Sequence, residues 1–508
     1  MPVIRPFDYS GVTRGSDDIL RYENRPQSLI EMLRTSVDKY PDKEALVELG
    51  GGRLTYQQFW DRSARIAGGL RAAGITRGDR VAIRYGNGID WCLAFFGIQM
   101  AGAIAVPVNT RFSEQEVEYV INDSGSRFVF TPSGEHPDAA PYVIGDLTEK
   151  EVSAIFYTSG TTGFPKGAMT THENFYANVE SSSRVSKPAL NSELRTLVSV
   201  PLFHVTGCNS QFLVACGFGG TTIIMPTFEV QAFLRAIGDE RINALTSVPA
   251  VYWLAIHQPN FAQIDRSKIT RVSYGGAPIA PDLVLKVMEA FPHARVGNGF
   301  GLTETAAMAT FLPHEYSPIR PETVGFPTPV MEVKLGEMEA GSNVGELLIR
   351  GENVVKGYWN KPEATAETFG GGWLRTGDLA RIDAEGFVQI VDRKKDMVNR
   401  GGENVYCVEV ENGLAGHRAV FEVAVMGVPD EVMGEKVGAV IVPKPGMTID
   451  VNELLEYAGA VLADFKVPQY VVIRKEMLPR NPGGKILKKQ LRETMQWGKS
   501  IRLHKHTE

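Results

Sequence analysis

The chain has little cysteine and no surplus of positive charge. Four cysteines occur in 508 residues, Cys92, Cys208, Cys216 and Cys407, with no C-x-x-C pair and no metal-ligand spacing. That argues against a disulfide scaffold or a zinc ribbon and reads as reduced thiols in a cytoplasmic protein. A formal net charge of −6 argues against a general binder of nucleic acid. The opening residues, MPVIRPFDYS, carry Arg5 but no apolar stretch, so no secretory signal is expected. Internal repeats and low-complexity tracts are missing too. One run of eighteen residues, 91–108, has no charge and reads WCLAFFGIQMAGAIAVPV. A membrane helix must be considered at that length. Gly102 interrupts the run and Pro107 would break its end. The expectation is therefore a buried helix capped by Asp90, then a short strand at about 103–106, following a strand at about 80–84 in a βαβ unit. No transmembrane segment is expected.

What is present is ordinary for a large enzyme. With 43% hydrophobic and 22% charged residues, the chain can bury a sizeable core, and its length implies more than one domain. Amphipathic helices, as at 29–39 and 56–73, alternate with short Val/Ile-rich strands, as at 128–130 and 221–225. This alternation predicts an α/β protein with sheets covered by helices.

Two distant stretches carry chemistry. Residues 157–167 read YTSGTTGFPKG, a loop of small residues with hydroxyls at Thr158, Ser159, Thr161 and Thr162 and one lysine, Lys166. Backbone N–H groups of such a loop can form an anion nest, to which hydroxyls and a lysine add donors. It is not a Walker A loop: Pro165 precedes Lys166, Gly167 follows it, and the hydroxyl that would hold magnesium is missing. A surface turn is the plain alternative. Residues 479–486 read PRNPGGKI and present Lys485 after a Pro-Gly-Gly turn, from which it could enter and leave a site built elsewhere.

Further segments follow in order: PLFHVTG at 201–207, YGGAP at 274–278, NGFGLTET at 298–305, RTGD at 375–378 and DRKKDMVNRGGENV at 392–405. Together they resemble the signature of the adenylate-forming superfamily, which includes acyl-CoA synthetases, peptide-synthetase adenylation domains and luciferases. The resemblance spans nearly the whole chain. It implies a large multi-subdomain N-terminal domain, 1–392, and a small mobile α+β C-terminal domain, 393–508, joined at the charged run 392–396.

The resemblance also implies roles. Thr158, Ser159, Gly160, Thr161, Thr162, Gly163 and Lys166 would hold the phosphates of ATP. Glu304, next to Thr303, would bind Mg²⁺ together with Thr158, as a hard cation wants oxygen ligands. Gly275, Gly276, Ala277 and Pro278 would line the adenine pocket with Asn298, Gly299 and Gly301, and Phe300 would stack on the ring. Asp378 would accept both ribose hydroxyls, and Arg393 would reach the ribose or phosphate; a core phenylalanine and a surface ion pair are the plain readings of Phe300 and Arg393. His204 would lie beside the substrate carboxylate and orient or gate without acting as a base. Lys485 would contact the carboxylate and the α-phosphate, then leave as the C-terminal domain turns about Lys395. That turn would bring Arg400, Gly401, Gly402, Glu403 and their neighbours to the site for a CoA thiol.

Two departures from the family pattern blur the acid. Arg400 stands where many fatty-acyl relatives have a small residue, while aryl-activating relatives often show Arg-Gly-Gly-Glu; Cys407 stands where proline is frequent. The expected acyl walls are Val205, Cys208, Phe228, Val248, Tyr252, Tyr274, Gly299, Ala307 and Met308. They are apolar and carry no arginine for a second carboxylate, which favours a fatty or aromatic acid. The reading is an AMP-forming acid–CoA ligase with ATP, Mg²⁺ and coenzyme A. The alternatives are an adenylation enzyme loading a carrier protein and a non-catalytic nucleotide-binding relative. The lack of a carrier domain after residue 508 favours free CoA, and a homodimer stays open. From Lys485 onward, seven Lys/Arg face two Asp/Glu, a solvated end that could be weakly drawn to an anionic membrane.

Overall fold

The computed structural model describes residues 3–158, 165–277, 279–338, 343–401, 403–480 and 486–501. Two large sheets carry most of the chain. The first has nine strands, ordered Phe326–Pro327, Thr310–Leu312, Arg295–Phe300, Arg271–Gly275, Ala244–Ser247, Arg195–Val198, Thr221–Ile224, Glu44–Glu48 and Arg53–Thr55. Its centre is parallel and only its ends are antiparallel. The second has five, ordered Ser126–Phe130, Arg80–Ile83, Ile104–Pro107, Val152–Thr158 and Lys166–Thr171, parallel except for its last pair. Parallel strands need helical crossovers and end with both faces covered, as the alternating sequence pattern predicts.

The apolar run 91–108 shows how. Its helix, Ile89–Met100, is buried at every position except Asp90, as a helix apolar all round must be. Trp91 stacks on Phe95 at 5.3 Å, and Gly97 has no room for a Cβ, which would sit 2.5 Å from Ile66. Gly102, at φ +75°, turns the chain into the strand Ile104–Pro107, parallel to Arg80–Ile83. So the βαβ reading holds, but its cap does not. Asp90 lies inside the first turn and is exposed; the cap position is Gly88, which has no side chain to offer. Glu48, at the end of a strand of the other sheet, accepts the Ile89 N–H at 2.8 Å instead. A tertiary partner has replaced the local one. Among the described residues no helix is long and apolar enough to cross a membrane.

A four-stranded antiparallel sheet follows, Met331–Met338, Gly345–Gly351, Leu374–Ile382 and Val388–Arg393. Sheet membership then changes. Val398–Arg400 and Glu403–Val405 pair with each other and join a small sheet with Gly434–Pro443, Val420–Asp430 and Tyr470–Ile473. The helices Cys407–Ala415 and Val451–Val461 pack on it around a separate apolar cluster. The molecule is thus α/β, with a large N-terminal part and a small α+β C-terminal part.

Glu48→Ala removes the acceptor of a partly buried helix N-terminus. It is expected to cost about 1–2 kcal/mol, read as a lower urea midpoint, with Glu48→Gln recovering part of the loss.

Candidate active site

Ligands of open α/β sheets lie beyond the carboxyl ends of the strands. Three segments singled out in the sequence occupy such ends. Thr158 is the last residue of Val152–Thr158, Gly275 of Arg271–Gly275 and Phe300 of Arg295–Phe300. Thr158 pairs with Lys166 across the neck of a hairpin, and its hydroxyl donates to the Lys166 carbonyl at 3.3 Å. Ser159, Gly160, Thr161, Thr162 and Gly163 lie outside the described residues, as do Pro278, Gly402 and Lys485.

The glycines permit close approach. Gly275 and Gly299 are register partners, and a Cβ on Gly275 would lie 2.2 Å from the Gly299 carbonyl oxygen. Gly276 has φ +74°. Beyond Phe300 the chain folds back tightly: a Cβ on Gly301 would lie 1.4 Å from the Ala307 carbonyl oxygen. Ala306 and Ala307 have φ +48° and +110°, in the left-handed half of the map that L-residues avoid. Hydrogen bonds hold this knot. Thr305 Oγ1 accepts from Leu302 N–H at 2.9 Å, Asn209 Nδ2 donates to the Ala306 carbonyl at 2.9 Å, and Met308 N–H donates to Asn178 Oδ1 at 3.1 Å.

Glu304 stands on this knot in the short turn Thr303–Thr305. Its Oε1 accepts the Tyr358 hydroxyl at 2.7 Å, and its carbonyl accepts Val355 N–H at 3.0 Å. Lys166 Nζ lies 5.2 Å from the centre of the Tyr358 ring. The segment around Tyr358 pairs along the edge of Lys166–Thr171: Met169 N–H bonds Gly357, and Trp359 N–H bonds Gly167. Lys166, Tyr358 and Glu304 therefore form a continuous line from the hairpin to the knot. Burial, with the Glu304 carboxylate beside it, pushes the Tyr358 phenol up, so it stays a donor. Among the described residues no group of three or more His, Cys, Asp and Glu is placed to hold a metal. A Mg²⁺ shared with phosphate oxygens needs only one or two protein carboxylates, and the Glu304 carboxylate fits that need.

Asp378 and Arg393 face each other as register partners, with Nε–Oδ1 at 2.6 Å. The plain ion-pair reading of Arg393 therefore describes what is seen, and it sits on the carboxylate expected at the ribose. Phe300 is half-buried and packs against the core of the four-stranded sheet. Asn298 is buried and donates to the Thr323 carbonyl at 3.3 Å.

The expected acyl walls divide among three cores. Val205, Cys208 and Ala307 belong to the main one. Tyr252 and Tyr274 are buried in a second, with Phe228 and Val248 packed on it. Met308 packs on a third. Tyr252 is a core residue whose hydroxyl donates to the Ser273 carbonyl at 2.7 Å. His204 Nε2 and the Tyr274 hydroxyl are buried and have no partner among the described residues. Burial lowers His204 to about 4 and pushes the Tyr274 phenol up, so both polar tips are neutral. Such orphaned tips suit the head group of a polar substrate.

Arg400 and Glu403 face each other across a hairpin at 3.3 Å. Gly401 sits between them at φ +61°, with its N–H on the Met433 carbonyl. Lys395 is exposed. Cys407 opens the helix Cys407–Ala415, and its N–H donates to Asp392, a bond that the proline frequent at this place could not make.

Sequence reasoning missed Tyr358, which nothing in its local pattern marks. It also missed Asn178 and Asn209. An asparagine inside the helix His172–Arg184 was a readable signal, because Asn is a poor helix former. A turn of π-helix, Cys208–Phe212, carries Asn209, and such turns cluster at functional sites. Finally, Trp253 on the helix Pro249–Ile256 meets Phe421 of the small sheet, with ring centres 4.1 Å apart.

Comparison with known proteins identifies the family. The family model described as AMP-binding enzyme matches residues 33–145 and 136–359, and the AMP-binding enzyme C-terminal domain model matches 409–485. The feruloyl-CoA synthase of Amycolatopsis sp is 37% identical over 474 residues, covering 88% of this chain and 95% of its own. The long-chain-fatty-acid–CoA ligase FadD13 of Mycobacterium tuberculosis is 37% identical over 498 residues, covering 91% and 97%. Among solved structures, the O-succinylbenzoate coenzyme A synthetase MenE of Bacillus subtilis, in complex with ATP and magnesium ion, superposes with a TM-score of 0.81 at 29% identity, covering 91% and 98%.

Buried imidazoles give the fold a pH dependence. His172 and His204 are both lowered by burial from 6.5 to about 4. The unfolded chain binds the protons first, so their contribution is complete above pH 6.5 and is lost as pH falls toward 4. Between pH 7 and 5 each should cost about 2 kcal/mol. Urea unfolding at the two pH values should show this loss, and His204→Gln should remove about half of it.

Proposed function

The chain belongs to the AMP-binding enzyme family, and from that premise we propose that it is an ATP-dependent ligase joining a fatty or aromatic carboxylic acid to CoA. The observation that carries the reading is the line Lys166–Tyr358–Glu304, which starts opposite the strand end Thr158 and finishes beyond the strand end Phe300. It offers a cation and a carboxylate on either side of a phenol, which suits a phosphate chain and its magnesium.

In the proposed reaction a carboxylate oxygen attacks the α-phosphorus of ATP. The bond to the β-phosphate oxygen breaks, pyrophosphate leaves, and an acyl-adenylate remains. Two anions must meet, so positive charge is required. Lys166, with Thr158 and the hairpin it closes, binds the phosphates. Glu304, with Thr158, would hold Mg²⁺, which offsets phosphate charge when bound. Gly275, Gly276 and Gly299 let adenine approach the backbone, and Asp378 takes the ribose hydroxyls once Arg393 shifts from it to the nucleotide. His204 and Tyr274 orient the acid as neutral donors. Lys485 supplies charge between the carboxylate and the α-phosphate. In the second step the CoA thiol gives up its proton and attacks the acyl carbon, and AMP leaves. The units 1–392 and 393–508 would turn about Lys395 between the steps, withdrawing Lys485 and bringing Gly401 and Glu403 inward. Four buried, free cysteines suit a cytoplasmic setting.

Given ATP, Mg²⁺, CoA and a panel of aromatic, medium-chain and long-chain acids, the protein should release AMP and pyrophosphate while consuming thiol in equal amounts. Pyrophosphate release that ignores CoA would favour a carrier-protein loader. None with any acid would overturn the reading.

Lys485→Ala should slow adenylation at least a hundredfold, a loss of about 3–4 kcal/mol. Thioester formation from pre-made acyl-adenylate should survive, because the lysine has left by then. Near-normal adenylation would remove Lys485 from the mechanism. Failure of both steps in a folded protein would remove the two-state account.

A further inference from the structure

The proposed nucleotide site uses only one end of the strands Arg271–Gly275 and Arg295–Phe300. At their other end lies a small cleft, lined among others by Phe7, Val185, Lys187, Arg271, Arg295 and His314, with a volume of about 30 Å³. Arg271 and Arg295 are the first residues of their strands and are register partners. Parallel pairing sends partners to the same face, so two guanidinium groups stand side by side.

Their charges are not balanced. Arg295 pairs with Glu315 at 2.5 Å, and Lys187 reaches the same carboxylate at 3.9 Å. Arg271 has no carboxylate partner among the described residues. It donates to the Pro188 carbonyl at 2.9 Å and the Thr270 hydroxyl at 3.3 Å, and its buried Nε has no partner. Partial burial and the neighbouring Arg295 both lower its pKa, with no acid opposing them. Three cations thus share one carboxylate against the apolar walls of Phe7 and Val185. His314 Nδ1 accepts the Val296 N–H at 3.0 Å, so its neutral ring carries its proton on Nε2 and adds a donor. A half-buried cation without a counter-ion is costly unless something pairs with it. The space admits one oxyanion head and excludes a nucleotide.

We propose that this cleft binds a small oxyanion, either free phosphate or the carboxylate of a small organic acid, with Arg271 as its main partner. The site is separate from the nucleotide loops. Arg271 lies at the opposite end of its strand from Gly275, about 13 Å away.

The test is thermal unfolding of the full chain and of Arg271→Met, which keeps the apolar stem, with Arg271→Gln as a second variant. Inorganic phosphate and benzoate are added separately, against chloride at matched ionic strength. Phosphate bound at the catalytic loops acts equally on all three proteins and cancels in the difference. The native chain should gain about 2 °C over the variants. A gain with phosphate assigns the free ion, and a gain with benzoate assigns an organic acid. Equal shifts in native chain and variants, or none in any, overturn the site.

Discussion

Glu304 joins the two large sheets. Its carboxylate takes the hydroxyl of Tyr358, and its carbonyl takes the N–H of Val355. The segment carrying these residues pairs with the free edge of Lys166–Thr171, so the last strand of one sheet is referenced to the strand end Phe300 of the other. Without that junction, Lys166 and Glu304 would belong to separately built walls. With it, their separation is set by one aromatic ring and one hydrogen bond, and a site assembled from two sheets can keep fixed geometry.

The junction rests on strained backbone. Positive φ at Ala306 and Ala307 costs on the order of 1–3 kcal/mol per residue. Such strain persists only where the surroundings over-determine it. Here Asn178 and Asn209 do so from one side. Asn178 bonds both the Met308 N–H and the Asn209 carbonyl, while Asn209 bonds the Ala306 carbonyl. Gly301 does so from the other, because only a residue without Cβ lets the chain pass Ala307. Asn209 is carried on the π-helical turn Cys208–Phe212.

Much of this was legible in the sequence, and what was not shares a cause. Strand and helix alternation gave the layers, and the run 91–108 resolved into helix, Gly102 turn and strand as its glycine and proline require. The glycines of the segment 274–278 were readable as sites of close backbone approach, which at Gly275 is to the Gly299 carbonyl. Glu48 as a cap, Tyr358 as a bridge and the two asparagines as struts were not readable, because each acts on a partner far away in the chain. The local pattern favoured Asp90 at the helix start and was overruled by a carboxylate from another sheet. The acyl lining was the weakest reading. Apolar composition picks out core residues and pocket residues alike, and Tyr252 proved to be core.

Beyond Arg393 the chain leaves one sheet and joins another, and two of the contacts that hold the parts together stand apart from each other. One lies beside the joint. Buried Asp392 accepts the N–H groups of Arg393 and Cys407, and Cys407 Sγ donates to the Asp396 carbonyl at 2.9 Å. Lys488 pairs with Glu411 at 2.6 Å within the same cluster, and burial pushes the Asp392 carboxyl up to about 6. The other lies away from the joint, where Trp253 meets Phe421. These differ in what a rotation would cost. The proposed turn about Lys395 would move residues beside the joint least, so the Asp392 cluster could persist through it. Trp253 and Phe421, away from the joint, would part in that proposed turn. Phe421 is followed by Glu422, which accepts the Leu478 N–H at 2.9 Å and pairs with Arg480. The helix bearing Trp253 also carries Tyr252 and is preceded by Val248 at its N-cap, beside the second apolar core. One aromatic contact therefore links the helix Pro249–Ile256 of the large part to the strand end whose Glu422 holds Leu478 and Arg480. In the proposed turn, breaking that contact would also carry away Leu478 and Arg480, which are held at the same end of the strand Val420–Asp430.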